Sequence, residues 1–129
     1  MKKILAALAL TPLVLALTPS PAHAAGVKVR DGTVHMYFNA SPEPVKKCKK
    51  VLLGGETWVE GLHDHTGVRV NFYFKKAGTT SYVYKGHDNA AYNGRYSRYL
   101  KQCRSGTWKA TLTFGDYSGL AARDYVKVR

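Results

Sequence analysis

Apolar and polar residues alternate along most of the chain, which is the period of a β-strand with one buried and one solvated face. Residues 68–74 and 108–114 show this alternation most clearly, and no window of useful length has the 3.6-residue period of an amphipathic helix. Turn-forming pairs such as Asp31-Gly32 and Asn93-Gly94 separate the alternating segments. The pattern predicts strands near residues 27–38, 49–58, 68–75, 81–85, 95–101, 107–114 and 123–129.

About seven short strands with tight turns between them are typical of an antiparallel sandwich of two sheets. We therefore predict an all-β chain with an immunoglobulin-like antiparallel β-sandwich. In this fold, Trp108 would be the central aromatic residue of the core and would pack on Phe72 and Phe74.

The first 24 residues have the pattern of a signal peptide. Lys2 and Lys3 precede an apolar stretch over residues 4–17, and Ala22-His23-Ala24 fits a cleavage site. The stretch is shorter than the ~20 residues of a membrane span, so we expect no transmembrane anchor. Cleavage after Ala24 leaves residues 25–129 as a single secreted domain, which we expect to be a monomer; an exposed edge strand leaves dimerisation open.

Cys48 and Cys103 are the chain's two cysteines. In an oxidising extracellular compartment they are expected to form one disulfide, against which Trp108 would pack. The two cysteines are 55 positions apart, and closing a loop of that length stabilises the folded chain by about 4 kcal/mol in the chain-entropy model.

Several segments, in order, resemble small secreted actinobacterial domains with an immunoglobulin-like sandwich. The matching segments are residues 40–47, 67–74, 77–82, 93–97 and 105–110. Cys48 stands where those domains often have glycine, so the disulfide is a local addition. The resemblance implies the fold and export, and it assigns no activity.

Positive charge is the strongest compositional signal, with 20 Lys and Arg against 8 Asp and Glu and a net charge of +12. Loss of Lys2 and Lys3 with the leader would leave +10. In an immunoglobulin-like topology the third, sixth and seventh predicted strands share a sheet. Their outward residues then form one patch, which comprises Arg69, Tyr73, Lys75, Lys109, Tyr125, Lys127 and Arg129.

Such a patch attracts polyanions by counterion release, and tyrosine rings add stacking surface. We therefore expect a secreted binding module for an anionic cell-wall polymer or another extracellular polyanion, either free or associated with the wall. Lys46, Lys47, Lys49 and Lys50 form a second basic cluster. The alternative is charge that serves solubility alone.

Two further binding functions stay open. Tyrosines between residues 82 and 99 suit a face that binds a protein partner, because tyrosine is enriched at interface hot spots. The segment Gly86–Asn93 is a candidate exposed loop of a secreted protease inhibitor.

Catalytic and metal chemistry have weaker support in the sequence. His63 and His65 could ligate a metal, but no third ligand is fixed, so we expect no metal and no cofactor. A small basic ribonuclease would need a carboxylate, a histidine and a cation, and the candidates by residue type are Glu56, Glu60, His63, His65 and Arg69. No nucleophile motif is present, and we expect no enzymatic activity.

Overall fold

The computed structural model describes residues 26–129, so the predicted signal peptide lies outside the described residues. Within that range the chain is built from strands, and no helix is long and apolar enough to cross a membrane. The strands are β1 (Val27–Asp31), β2 (Val34–Ser41), β3 (Lys50–Val59), β4 (Arg69–Lys76), β5 (Val83–Asn89), β6 (Arg95–Lys101), β7 (Gly106–Phe114) and β8 (Tyr117–Val126).

The eight strands form two four-stranded sheets whose paired strands are all antiparallel. The first sheet has the order β1-β2-β3-β6, and the second has the order β5-β4-β7-β8. The predicted all-β, immunoglobulin-like sandwich with one disulfide is therefore confirmed. The expected strand over residues 27–38 is instead a hairpin of β1 and β2, because the chain turns at Gly32 with a φ of 57°.

The core lies between the sheets and is filled by the inward residues of each strand. Trp108 is fully buried, as predicted, and its ring lies 4.9 Å from that of Phe74. Phe72 stacks on Phe38 of the opposite sheet. Asp124 of β8 also faces inward and accepts a hydrogen bond of 3.0 Å from the Ala40 backbone N–H, which ties the two sheets together.

The Cys48–Cys103 disulfide forms as predicted, but it lies at the surface. Both cysteines are exposed, and their Cα atoms are 4.0 Å apart. They continue the pairing of Lys50 with Lys101, so the bridge closes the end of the β3–β6 ladder within one sheet. The expectation that it packs in the core against Trp108 is wrong, because the bridge joins two neighbouring strands rather than two sheets.

The last residues add a short parallel pairing to the sandwich. Val128 pairs with Val45, and the Val45 N–H donates to the carbonyl of Lys127 at 2.7 Å. The Arg129 N–H donates to the Val45 carbonyl at 2.8 Å. The predicted strand over 123–129 is therefore β8, which starts earlier and ends at Val126, followed by this bridge.

Candidate anion-binding face

The second sheet brings together the strands that were predicted to carry the basic patch. β4, β7 and β8 are neighbours, and their register places Tyr73 opposite Lys109 and Lys109 opposite Arg123. One row further along, Lys75 and Tyr125 are both opposite Thr107. We call the outward surface of this sheet the basic face; it comprises Arg69, Tyr73, Lys75, Tyr82, Lys109, Arg123 and Tyr125.

The ring of Tyr82, just before β5, is the centre of the basic face. Lys109 Nζ lies 4.4 Å from the ring centroid, Lys75 Nζ lies 5.3 Å away, and the Arg123 guanidinium lies 5.9 Å away. All three distances are within the ~6 Å range of cation–π attraction. Lys109 also lies 5.1 Å from the Tyr73 ring. The two tyrosines therefore hold three cations close together.

No carboxylate balances these cations within residues 26–129. Asp124 is the acidic residue of β4, β7 and β8, and it points into the core. The ion pair between Arg95 and Glu56 lies on the other sheet. Like charges at this spacing repel one another, so a bound anion would stabilise the cluster.

The basic face continues along β4 and β5 as a hydrogen-bonded chain. The rings of Tyr73 and Tyr84 meet edge to face, with centroids 5.6 Å apart. Arg69 Nη2 donates to the Tyr84 hydroxyl at 3.3 Å, and that hydroxyl lies 3.1 Å from His87 Nδ1. Arg69 Nε donates to Asn71 at 2.9 Å. These bonds fix a further cation, and an imidazole, at the far end of the face.

The structure separates two of the predicted patch residues from the rest. Lys127 and Arg129 lie beyond β8, where the chain leaves the sheet to pair with residues 45–47. They therefore adjoin the predicted second cluster at Lys46 and Lys47. Glu43 accepts a hydrogen bond from the Lys127 N–H, so this end of the molecule carries a carboxylate among its cations.

Sequence reasoning left Tyr82 and Arg123 out of the basic patch, and it assigned Tyr82 to the tyrosine cluster between residues 82 and 99. Arg123 lies within the predicted strand over residues 123–129 and alternates in phase with Tyr125, so the same alternation argument would have included it. Tyr82 lies outside a regular strand, and no periodicity in the sequence indicates that its ring covers three neighbouring strands.

His65 has a structural role in the loop after β3. The residue is buried, its Nε2 accepts the Val59 N–H at 3.2 Å, and its Nδ1 lies 3.3 Å from the Tyr92 carbonyl. The Thr66 backbone N–H and the Thr66 hydroxyl bond to Asp64 and lower the pKa of its carboxyl. These contacts occupy both ring nitrogens of His65 and brace the turn.

The residues named for a ribonuclease are not all on one sheet. Glu56 lies on the outward face of the first sheet beside Arg95, whereas Arg69 lies on the second sheet. The segment Gly86–Asn93, suggested as an inhibitor loop, is not wholly a loop. Its first residues, up to Asn89, belong to β5 and pair with β4. The tyrosines between 82 and 99 are divided, because Tyr96 is buried while Tyr84, Tyr92 and Tyr99 are exposed.

No protein-family model matches the chain, and no curated protein matches it. Solved structures do share its fold. A Thermotoga maritima protein assigned to the superoxide reductases matches with a TM-score of 0.58 at 20% identity, covering 73% of this chain and 85% of its own. Superoxide reductase (neelaredoxin) from Ignicoccus hospitalis matches with a TM-score of 0.56 at 20% identity, covering 73% of this chain and 80% of that chain. At this identity the likeness establishes the fold alone.

These matches contradict the expectation that the chain is not an enzyme, because the solved structures with this arrangement of strands carry an enzyme's name. One-electron chemistry is usually carried by a bound metal or an organic cofactor. Within residues 26–129, no three His, Cys, Asp or Glu side chains form a group that could hold a metal ion, and both cysteines are joined in the disulfide. The described residues therefore do not fit a resident metal centre.

Proposed function

We propose that the chain is exported and binds anionic polymers outside the cell through the basic face. The ligand class we propose is a polymer linked by phosphodiesters, as in teichoic-acid-type wall polymers and in extracellular DNA. The observation that carries the proposal is the convergence of Lys75, Lys109 and Arg123 on the Tyr82 ring, on a sheet surface without an outward carboxylate.

The physical reason is counterion release together with relief of repulsion. Cations that neutralise phosphates release condensed counterions, and the affinity then falls steeply with salt. The half-buried lysines of this cluster are held by two tyrosine rings, so less side-chain freedom is lost on binding than for free surface lysines. Export is supported by the predicted signal peptide of residues 1–24.

The test compares two triple variants with the same loss of charge. The first replaces Lys75, Lys109 and Arg123 by Gln; the matched control replaces Lys28, Arg30 and Lys101, which are exposed on the first sheet. Residues 25–129 of each variant are co-sedimented with purified cell walls, before and after phosphodiester polymers are stripped, at about 50 and 200 mM salt. Titration with a short DNA duplex gives the salt slope.

We expect the first variant to lose wall binding and to reduce the slope by roughly two to three units, while the control stays near the unsubstituted chain. If the unsubstituted chain binds intact walls but neither stripped walls nor DNA, the wall polymer is the ligand. If it binds DNA as tightly as intact walls, it has a general preference for phosphodiesters. If the two triple variants weaken binding equally, net charge alone explains the attraction and the basic face is not the site.

A further inference from the structure

The outward face of the first sheet has a depression at its centre. The register of β2, β3 and β6 places outward residues in three rows, which are Tyr37–Glu56–Arg95, Asn39–Gly54–Ser97 and Ser41–Leu52–Tyr99. Gly54 is the middle residue of the middle row, so a position surrounded by eight neighbours carries no side chain. The resulting open groove has a volume of about 750 Å³, within the ~300–1,000 Å³ range of small-molecule sites.

The two glycines at this point have different physical reasons. Gly55 has a φ of 159°, and a Cβ there would lie 1.8 Å from the Tyr37 carbonyl oxygen, so the close approach of β2 and β3 requires glycine. Gly54 has no such backbone conformation, and its Cβ would lie 3.2 Å from the Tyr96 carbonyl oxygen. Glycine at position 54 therefore eases the close approach of the β6 backbone and also leaves empty space on the outward surface.

The floor of the groove is held rigidly. Tyr96 is buried, and its hydroxyl donates to the Tyr37 carbonyl at 2.8 Å. Burial raises the pKa of that hydroxyl, so it keeps its proton. Asp88 closes one side by accepting the Ser97 N–H at 2.9 Å. The groove is thus largely formed before any ligand arrives.

Asn39 is the group that points to a ligand. Its Oδ1 atom is buried and lacks a hydrogen-bond partner among the described residues, and Asn39 lines the groove. A buried acceptor without a donor costs roughly 1–3 kcal/mol, so such atoms are rare. His35 Nε2, four positions earlier on the same strand and face, is a second such atom, although His35 is outside the lining of the groove. A ligand in the groove with an O–H or N–H donor would satisfy Asn39 Oδ1.

The remaining polar groups narrow the ligand class. Glu56 and Arg95 are 3.6 Å apart and well exposed, so their weak ion pair leaves both groups able to bond to a ligand. Together with Asp88, the groove has two carboxylates against one guanidinium, which disfavours a polyanion. The wall of the groove offers both acceptors and donors beside the half-buried Tyr37 ring. Vicinal hydroxyls on an apolar ring match this pattern, because each hydroxyl both donates and accepts.

We propose that this groove binds a neutral oligosaccharide, with a sugar hydroxyl donating to Asn39 Oδ1 and further hydroxyls meeting Glu56 and Arg95. The site lies mainly on the first sheet, with Asp88 of β5 at its edge, and none of its lining residues belongs to the basic face. The molecule therefore has two separate binding surfaces, one for anionic polymer and one for neutral sugar.

The test uses ¹⁵N-labelled chain and four probes, namely the tetrasaccharides of the cello, N-acetylchito, xylo and laminari series, at millimolar concentration. We expect at least one probe to shift the backbone amides of Gly54, Gly55 and Ser97 while the amides of β7 stay unchanged. Asn39→Ala is expected to weaken binding at least about tenfold, and Glu56→Gln to weaken it less. Thr111→Ala, which removes a half-buried polar side chain from the outward surface of β7 on the second sheet, is the control and is expected to bind as the unsubstituted chain.

Asn39→Ala is also expected to retain the melting temperature, because the atom it removes makes no hydrogen bond within the described chain. Loss of binding in a fully folded variant then reports on the groove. If no probe shifts the groove amides, or if Asn39→Ala binds as tightly as the unsubstituted chain, solvent alone fills the groove and the proposal is overturned. Failure of the basic-face variants to reduce wall binding would leave this result untouched.

Discussion

The two outward faces of the sandwich use the same alternation of side chains and differ in what the alternating positions carry. On the second sheet, the central rows place cations around tyrosine rings without a carboxylate. On the first sheet, the central rows carry Glu56, Asn39 and an empty position at Gly54. The same strand period therefore produces a cationic surface in one sheet and a polar depression in the other.

This difference separates two kinds of recognition. A field of like charge acts over several ångströms and tolerates many arrangements of anions, so its affinity depends strongly on salt. A groove with one buried acceptor depends on a donor at a fixed position, and its affinity depends little on salt. Measurements that affect one face and leave the other unchanged therefore test the comparison.

The largest expected effect comes from the disulfide, which belongs to the first sheet. Replacing Cys48 and Cys103 together by Ser should lower the free energy of unfolding by about 2–4 kcal/mol. The bridge also closes the ladder where Lys50 and Lys101 are direct partners, and like charges at opposed positions repel. Urea unfolding measures the loss, and reduction of the unsubstituted chain gives an independent value. Salt should restore part of the stability of the double variant, and a variant as stable as the disulfide form would contradict this account.

A smaller effect is expected at Tyr82. Tyr82→Leu keeps every charge of the basic face and removes the ring that gathers three of them, so polyanion affinity should fall by about 0.5–1 kcal/mol. The salt slope should stay the same, because the number of cations is the same. Tyr92→Leu, at an exposed tyrosine in the loop before β6, is the matched control. A changed slope would mean that the ring sets how many cations engage the polymer.

An effect of similar size is expected at Tyr117, which joins the two sheets at one end. Its hydroxyl donates to Asp31 at 2.7 Å, and desolvation together with this bond raises the pKa of Tyr117 to about 12 from 10.0. The folded chain therefore holds this proton more tightly than the unfolded chain does. The stabilisation is complete below pH 10 and declines as the pH rises towards 12.

Tyr117→Phe should therefore reduce stability at neutral pH by roughly 0.5–1 kcal/mol, and the difference from the unsubstituted chain should shrink in alkali. Thermal melts at neutral and alkaline pH measure it, with Tyr125→Phe on the same strand as the control. A difference that does not change with pH would show that the hydroxyl is not coupled to Asp31.

The strands that the sequence predicts well are those with long alternating runs. β4 and β7 are nearly as predicted because Val70, Phe72, Trp108 and Leu112 alternate with polar residues on both strands. β5 extends further than expected because Gly86, His87, Asp88 and Asn89 are poor strand formers, and pairing with β4 decides their conformation. The early start of β8 has the same cause, since Ser118 and Gly119 break the alternation.

The two candidate sites also differ in how far the sequence predicts them. The cations on the outward face of β4 and β7 can be predicted from the sequence. The two-residue alternation assigns each of them to the outward side of its strand, and the predicted topology places both strands in one sheet. The groove was not predicted, because its central feature is a missing side chain. Gly54 becomes informative only when the register places Asn39 and Ser97 beside it. Register depends on pairing between distant segments, which periodicity does not specify.

The contacts that close the sandwich have a consequence for the order of folding. The Asp124–Ala40 bond and the Val45–Val128 bridge join segments more than 80 positions apart, although β1, β2 and β3 follow one another directly. Contacts of such long range form slowly, because a large loop must close first. The β1–β2–β3 meander can assemble early, whereas the hydrogen bond from the Ala40 N–H to Asp124 can form only after β8 has packed on the meander. The final residues of the chain therefore complete the fold, and truncation just before Asp124 is expected to leave an unclosed sandwich with an exposed edge.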